Sequence, residues 1–161
     1  MNSVRITKYD PQNRDANGHY TLVDEWTSIS DVGKSFQGKI LTMEQYLAIE
    51  GKYIQAVEML LQKNGSSDIA IVDLENHTDE TAMDLSEGKT ISHNLVSDLV
   101  KLILREKVWG RLVANNQFEI HFGYDYYMYF VGESLTDDII EELRIINGLY
   151  VEEVRSPYLE E

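Results

Sequence analysis

Glu119 and His121 stand two residues apart in the run Phe118-Glu119-Ile120-His121-Phe122. Apolar and polar types alternate there, which predicts a strand, and residues i and i+2 of a strand share a face. A carboxylate beside an imidazole raises its proton affinity and suits it to acid–base work. His19 precedes Tyr20 and lies near Asp24-Glu25, a second place for the same chemistry. No serine occupies a Gly-x-Ser-x-Gly elbow, so no nucleophile of that kind accompanies either histidine. Lone His–Glu pairs also occur as ordinary surface pairs on strands.

His77, Asp79, Glu80 and Asp84 bring nitrogen and oxygen donors close in sequence. They lack the His-Glu-x-x-His spacing of a zinc helix and the alternation and central glycine of a calcium loop. The chain has no cysteine, which excludes thiolate metal sites, disulfides and cysteine nucleophiles. Gly88-Lys89-Thr90 looks like the end of a phosphate-binding loop. Met83 stands where that loop needs its first glycine, and Glu87 would repel a phosphate. No metal and no cofactor is therefore expected.

Tyr124, Tyr126, Tyr127 and Tyr129 crowd one predicted strand and its turn, in a chain with 10 tyrosines. Alternation sends Tyr127 and Tyr129 to one face and Tyr126, Met128 and Phe130 to the other. One face must be core. The other is expected to show tyrosines to water or to a partner, the alternative being a sheet buried on both sides. Tyrosine combines large area, few rotors and a polar tip, which suits recognition. Between Glu119 and Glu161 eleven acidic residues face only Arg144 and Arg155, within a chain of net charge −14. Such a single-sign field attracts a cationic partner. The expected docking surface is Tyr124, Asp125, Tyr127, Tyr129, Glu133, Asp137, Asp138, Glu141 and Glu142. The same charge argues against nucleic acid and against an anionic membrane surface, both of which need Lys and Arg.

The elements that position these residues read as α+β in one domain spanning 1–161. Val4 to Tyr9 alternates like a strand, and His19 to Ile29 has the composition to hold another. Thr42-Met43-Glu44-Gln45 is a capping box. The apolar stripe Tyr46, Leu47, Ile54, Val57, Leu60 and Leu61 then predicts a helix over 42–63, closed by Asn64-Gly65. Ile69 to Leu74 predicts a buried strand. Ser92 opens a second helix to about 107, with Arg105 and Lys107 expected in its last turn. An antiparallel meander follows over about 108–131. Thr136 caps a shorter helix over about 136–147, and Leu149 to Val154 reads as the last strand. No apolar run is long enough to span a membrane, and no signal-peptide core opens the chain, so a cytoplasmic location is expected.

Two stretches carry a family likeness. They are Ile6-Thr7-Lys8-Tyr9-Asp10-Pro11 with Arg14-Asp15 and Gly18-His19-Tyr20, and Asp24-Glu25-Trp26-Thr27-Ser28-Ile29-Ser30-Asp31-Val32-Gly33. With Leu41-Thr42-x-x-Gln45-Tyr46-Leu47, they resemble small acidic bacterial proteins of toxin–immunity neighbourhoods over about residues 4–60. The resemblance implies an immunity role and assigns no residue to it. Inhibitors of basic toxins work by occlusion and need no catalytic group. The expected function is thus an acidic, non-enzymatic inhibitor that covers a basic toxin domain. The competing expectation is a small enzyme or metal-binding domain built on His and carboxylates.

Overall fold

In the computed structural model the described residues are 2–65, 68–78, 83–115 and 117–159. Helix α1, Met43–Lys63, begins where both capping-box bonds form. The Thr42 hydroxyl accepts from the Gln45 N–H at 3.2 Å, and Gln45 Oε1 accepts from the Thr42 N–H at 3.1 Å. Its buried face is Tyr46, Tyr53, Ala56, Val57, Leu60 and Leu61, together with Glu50. Leu47, expected in the stripe, is instead exposed.

Helix α2, His93–Leu104, buries Val96, Leu99, Val100, Ile103 and Leu104. It ends short of residue 107 for two reasons. Glu106 takes a left-handed φ of 60°, which breaks the helix. Arg105 turns away from the helix end to reach Glu50. Helix α3, Asp137–Arg144, starts under the Thr136 hydroxyl and is shorter than the 136–147 expectation.

The strands in chain order are β1 Asn2–Thr7, β2 Ser35–Phe36, β3 Lys39–Ile40, β4 Ile69–Asn76, β5 Thr90–Ile91, β6 Val108–Ala114, β7 Phe118–Phe122, β8 Met128–Gly132 and β9 Tyr150–Glu152. β2 and β3 form a small hairpin. The other seven form one sheet in the order β5-β4-β6-β7-β8-β1-β9, and every neighbouring pair is antiparallel. The fold is α+β, and the expected meander is β6-β7-β8. The strand expected within 19–29 does not form. That segment is loop, ending in a single 3-10 turn at Ile29–Asp31.

One face of the sheet packs against the three helices through Val4, Ile6, Leu112, Ile120, Met128 and Phe130, all fully buried. The opposite face carries Arg5, Arg111, Glu119, His121 and Tyr129. It too is covered, by residues from the loop after β1 and by the tail after β9. Tyr9 packs on Tyr20 and Tyr127, and Tyr158 packs on Trp109, His121 and Tyr129. The sheet is therefore buried on both sides at its centre. Among the described residues no helix is long and apolar enough to cross a membrane.

Candidate functional site

A chain of polar side chains crosses the second face of the sheet. It begins at a bulge in β4, where the register shifts between Val72 and Glu75 and Asp73 takes φ 56°. The Glu87 carboxylate accepts from the freed N–H groups of Asp73 and Leu74, at 2.9 and 2.7 Å. The bulge aims the Asp73 carboxylate at Arg111 Nε, 2.7 Å away. Arg111 Nη1 donates to Glu119 Oε2 at 2.8 Å, and that oxygen also meets His121 Nε2 at 2.7 Å. His121 Nδ1 lies 2.7 Å from Ser156 Oγ.

The bonding fixes the tautomer. A carboxylate only accepts, so His121 donates from Nε2 and receives the Ser156 proton at Nδ1. Burial holds the His121 pKa below its ordinary value, Glu119 opposes that, and Arg111 adds to it. The Glu119–His121 pair read from the strand is thus present, with Ser156 as a third member that sequence spacing did not reveal. Glu, His and Ser in a row have the order of a hydrolase triad. Here Ser156 is 1% exposed and His121 0%, so the hydroxyl meets no substrate. What the row does is pin the tail. The Ser156 N–H bonds Ser3 Oγ at 2.9 Å, and Ser3 donates on to the Val154 carbonyl at 2.9 Å.

The pinned tail carries Tyr158 to one end of the sheet, where it forms a wall of a cleft of about 480 Å³. Trp109 and Tyr124 are the other aromatic walls, Glu75, His77 and Glu106 supply its polar groups, and Ile103, Val108 and Gly123 complete it. Trp109 is held in place by its indole N–H, which donates to the Phe122 carbonyl at 2.9 Å. Tyr124 is 82% exposed. It opens the turn Tyr124–Tyr127, whose central residues Asp125 and Tyr126 take φ 57° and 68°. A left-handed tyrosine is strained. Its neighbours hold it there. Tyr53 donates to the Tyr126 carbonyl at 2.7 Å, and the Tyr126 hydroxyl lies 2.5 Å from that of Tyr46.

That contact belongs to a buried network beneath the turn. Tyr46 donates to Glu50 Oε2 at 2.5 Å, so its oxygen receives the Tyr126 proton. Arg105 grips Glu50 through two bonds of 2.8 and 2.7 Å, compensating a carboxylate that is 1% exposed. Burial pushes the Tyr46 hydroxyl up to about 12, and its bond to Glu50 adds to the rise.

The expected docking surface is divided by this arrangement. Tyr124 and Asp125 are exposed at the cleft end. Tyr127 is half-buried and its hydroxyl accepts from Arg14 at 3.0 Å. Tyr129 is 6% exposed, beneath the tail. The expectation that this face shows its tyrosines to water or to a partner is corrected for Tyr129, and the alternative, a sheet buried on both sides, is the one that forms, because the loop after β1 and the tail cover it. Glu133 follows β8 at its far end, about 17 Å along the strand at about 3.3 Å per residue, and Asp137 and Asp138 come later, in the first turn of α3. Glu141 pairs with Arg144, and Glu142 with Lys63 at 2.7 Å.

The other sequence candidates are dispersed. His77 pairs with Glu75 at 3.3 Å and Asp84 with Lys89 at 2.8 Å. Asp79 and Glu80 lie outside the described residues. Among the described residues no group of three or more His, Asp and Glu is placed to hold a metal. His19 meets Asp15 at 3.7 Å, while Glu25 turns to Lys8 and Tyr20. Comparison with protein-family models, curated proteins and solved structures finds no match.

Proposed function

We propose that the protein is an acidic binding protein that neutralises a basic protein partner by covering its surface, as an immunity protein covers a toxin domain in the cytoplasm. The observation that carries this reading is the cleft at the Tyr124 end. It combines three aromatic rings with Glu75 and Glu106, and among the described residues no lysine or arginine lines it. Aromatic anchors in a pocket supply binding energy, and carboxylates around them select a cationic partner. The net charge of −14 adds a field that speeds encounter with such a partner. Occlusion requires a rigid surface, and the cleft stands on strand ends, a capped turn and a pinned tail.

The test is capture of the partner from the source cell, followed by association kinetics with the purified pair at low and moderate salt. A basic partner whose on-rate falls about tenfold as exposed charges are screened supports the reading. An acidic partner, or association indifferent to salt, overturns it.

A further inference from the structure

We propose that the cleft is a receptor for a guanidinium group, the arginine side chain with which the basic partner anchors itself; this rests on the binding reading above. Trp109 and Tyr158 have ring centroids 6.0 Å apart and planes at 54°, which makes an open aromatic corner. The indole N–H is spent on the Phe122 carbonyl, so the corner offers ring faces and asks for no acceptor. A cation sits well against such faces.

Glu75 and Glu106 supply the counter-charge. Among the described residues Glu75 pairs with His77, and no lysine or arginine pairs with either carboxylate. Ile103 and Val108 give an apolar surface for a methylene stem. The volume of about 480 Å³ admits a long side chain with room for water.

An ammonium ion would serve these walls poorly. It is compact and strongly hydrated, and though it can rest against a ring, as Lys8 does 4.0 Å from that of Trp26, it has no plane to stack and no fork to offer a carboxylate. A guanidinium is planar and weakly hydrated, stacks on rings, and bonds a carboxylate through two parallel N–H groups. The chain itself uses that grip elsewhere. Arg5 lies 5.7 Å over the Tyr127 ring while its Nε and Nη2 bond the two carboxylate oxygens of Glu152 at 3.1 and 2.9 Å. The cleft presents the same two kinds of group with the arginine's place open to a partner.

The experiment titrates the full chain with N-acetyl-arginine amide, the lysine amide and the neutral citrulline amide. It follows the Trp109 indole N–H signal by NMR, assigned with Trp109→Phe. The arginine amide is expected to shift that signal and saturate. The lysine amide should bind at least about fivefold more weakly, because it lacks the planar fork. The citrulline amide should leave the signal unmoved. Glu75→Gln/Glu106→Gln is expected to weaken the arginine amide about tenfold, since charge-assisted bonds are roughly twice as strong as neutral ones. Tyr124→Ala, at an exposed position, should weaken it without lowering the urea midpoint. Equal binding of citrulline or lysine, or no effect of the double substitution, overturns the assignment. A basic partner that binds while the arginine amide neither binds nor competes defeats the guanidinium receptor and leaves the proposed function standing. Binding of the arginine amide in a protein with no basic partner does the reverse.

Discussion

Ser156 decides how His121 holds its proton, and this gives the molecule a pH dependence that can be stated with its sign. The buried imidazole has a lowered proton affinity, whereas in an unfolded chain it titrates near about 6.5. Below that value the unfolded state takes up a proton that the folded state resists. The contribution of His121 is therefore complete above about 6.5 and is lost as pH falls from there to the lowered folded value, below which both states carry the proton. The urea midpoint is expected to drop between pH 7.5 and pH 5.5, and His121→Gln should flatten that part of the profile. Asp15, Asp31 and Asp84 also have lowered pKa values, so their contributions are lost at more acid pH, outside this window. A midpoint that does not move in the window would rule out a neutral, latched His121. The Glu119–His121 pair was legible because alternation along one strand places both on one face. Ser156 was not, because it arrives 35 residues later by the return of a tail that no local pattern encodes. The cleft has the same character. Glu75, Trp109, Tyr124 and Tyr158 come from four segments, and only Tyr124 stood out in sequence.

Elements built from local interactions were readable, and those decided by distant contacts were not. Helix α1 is of the first kind, since its cap and its apolar spacing lie within the helix itself. Thr42→Ala removes the acceptor for the Gln45 N–H and is expected to cost about 1 kcal/mol, read as a lower urea midpoint. The segment 19–29 is of the second kind. A strand was expected within it, yet Trp26 is drawn inward, meeting Tyr46 and Tyr126 edge-on with the Lys8 ammonium 4.0 Å from its ring. The overrun of α2 has the same origin, because Glu50 on α1 claims Arg105. The end of β8 shows how tightly strands can constrain one position. Gly132 has φ 146°, and a Cβ there would come 2.4 Å from the Gln117 carbonyl oxygen and 2.7 Å from Phe118 Cα. Backbone cannot swing aside as a flexible side chain can. Gly132→Ala is expected to cost about 3 kcal/mol or more, from strain and overpacking together, and to appear as a large fall in the urea midpoint or in soluble yield.

Across the whole molecule, acid is distributed by the fold into places with different work. The sequence shows eleven acids in the last 43 residues as one block. The structure sends Asp125 to the cleft end and Glu133 to the far end of β8, and sets Glu141, Glu153 and Glu142 against Arg144 and Lys63. Glu75 and Glu106, which line the cleft, lie outside that block. Two charge reversals should therefore differ. Glu141→Lys/Glu142→Lys is expected to slow association with a basic partner and leave its off-rate nearly unchanged, because it alters only the surrounding field. Glu75→Lys/Glu106→Lys should raise the off-rate as well. Equal effects of the two pairs on the off-rate, measured by surface-bound kinetics, would place the contact elsewhere. The edges of the sheet are also managed at this scale. β5 has two residues and β9 three, too short to template another chain.

The position of β1 between β8 and β9 has a consequence in time. Asn2 donates to the Leu135 carbonyl across 133 residues, and Ser3 to that of Val154 across 151. A ribosome adds about 5–20 residues each second, so Val4 and Ile6 wait on the order of ten seconds for their sheet neighbours. Throughout that interval β1 has both edges open and its Val4 and Ile6 side chains lack their sheet neighbours, while α1 already has its cap and can begin to wind. A nascent chain halted before β8 emerges would present an unpaired strand to any chaperone at the exit tunnel.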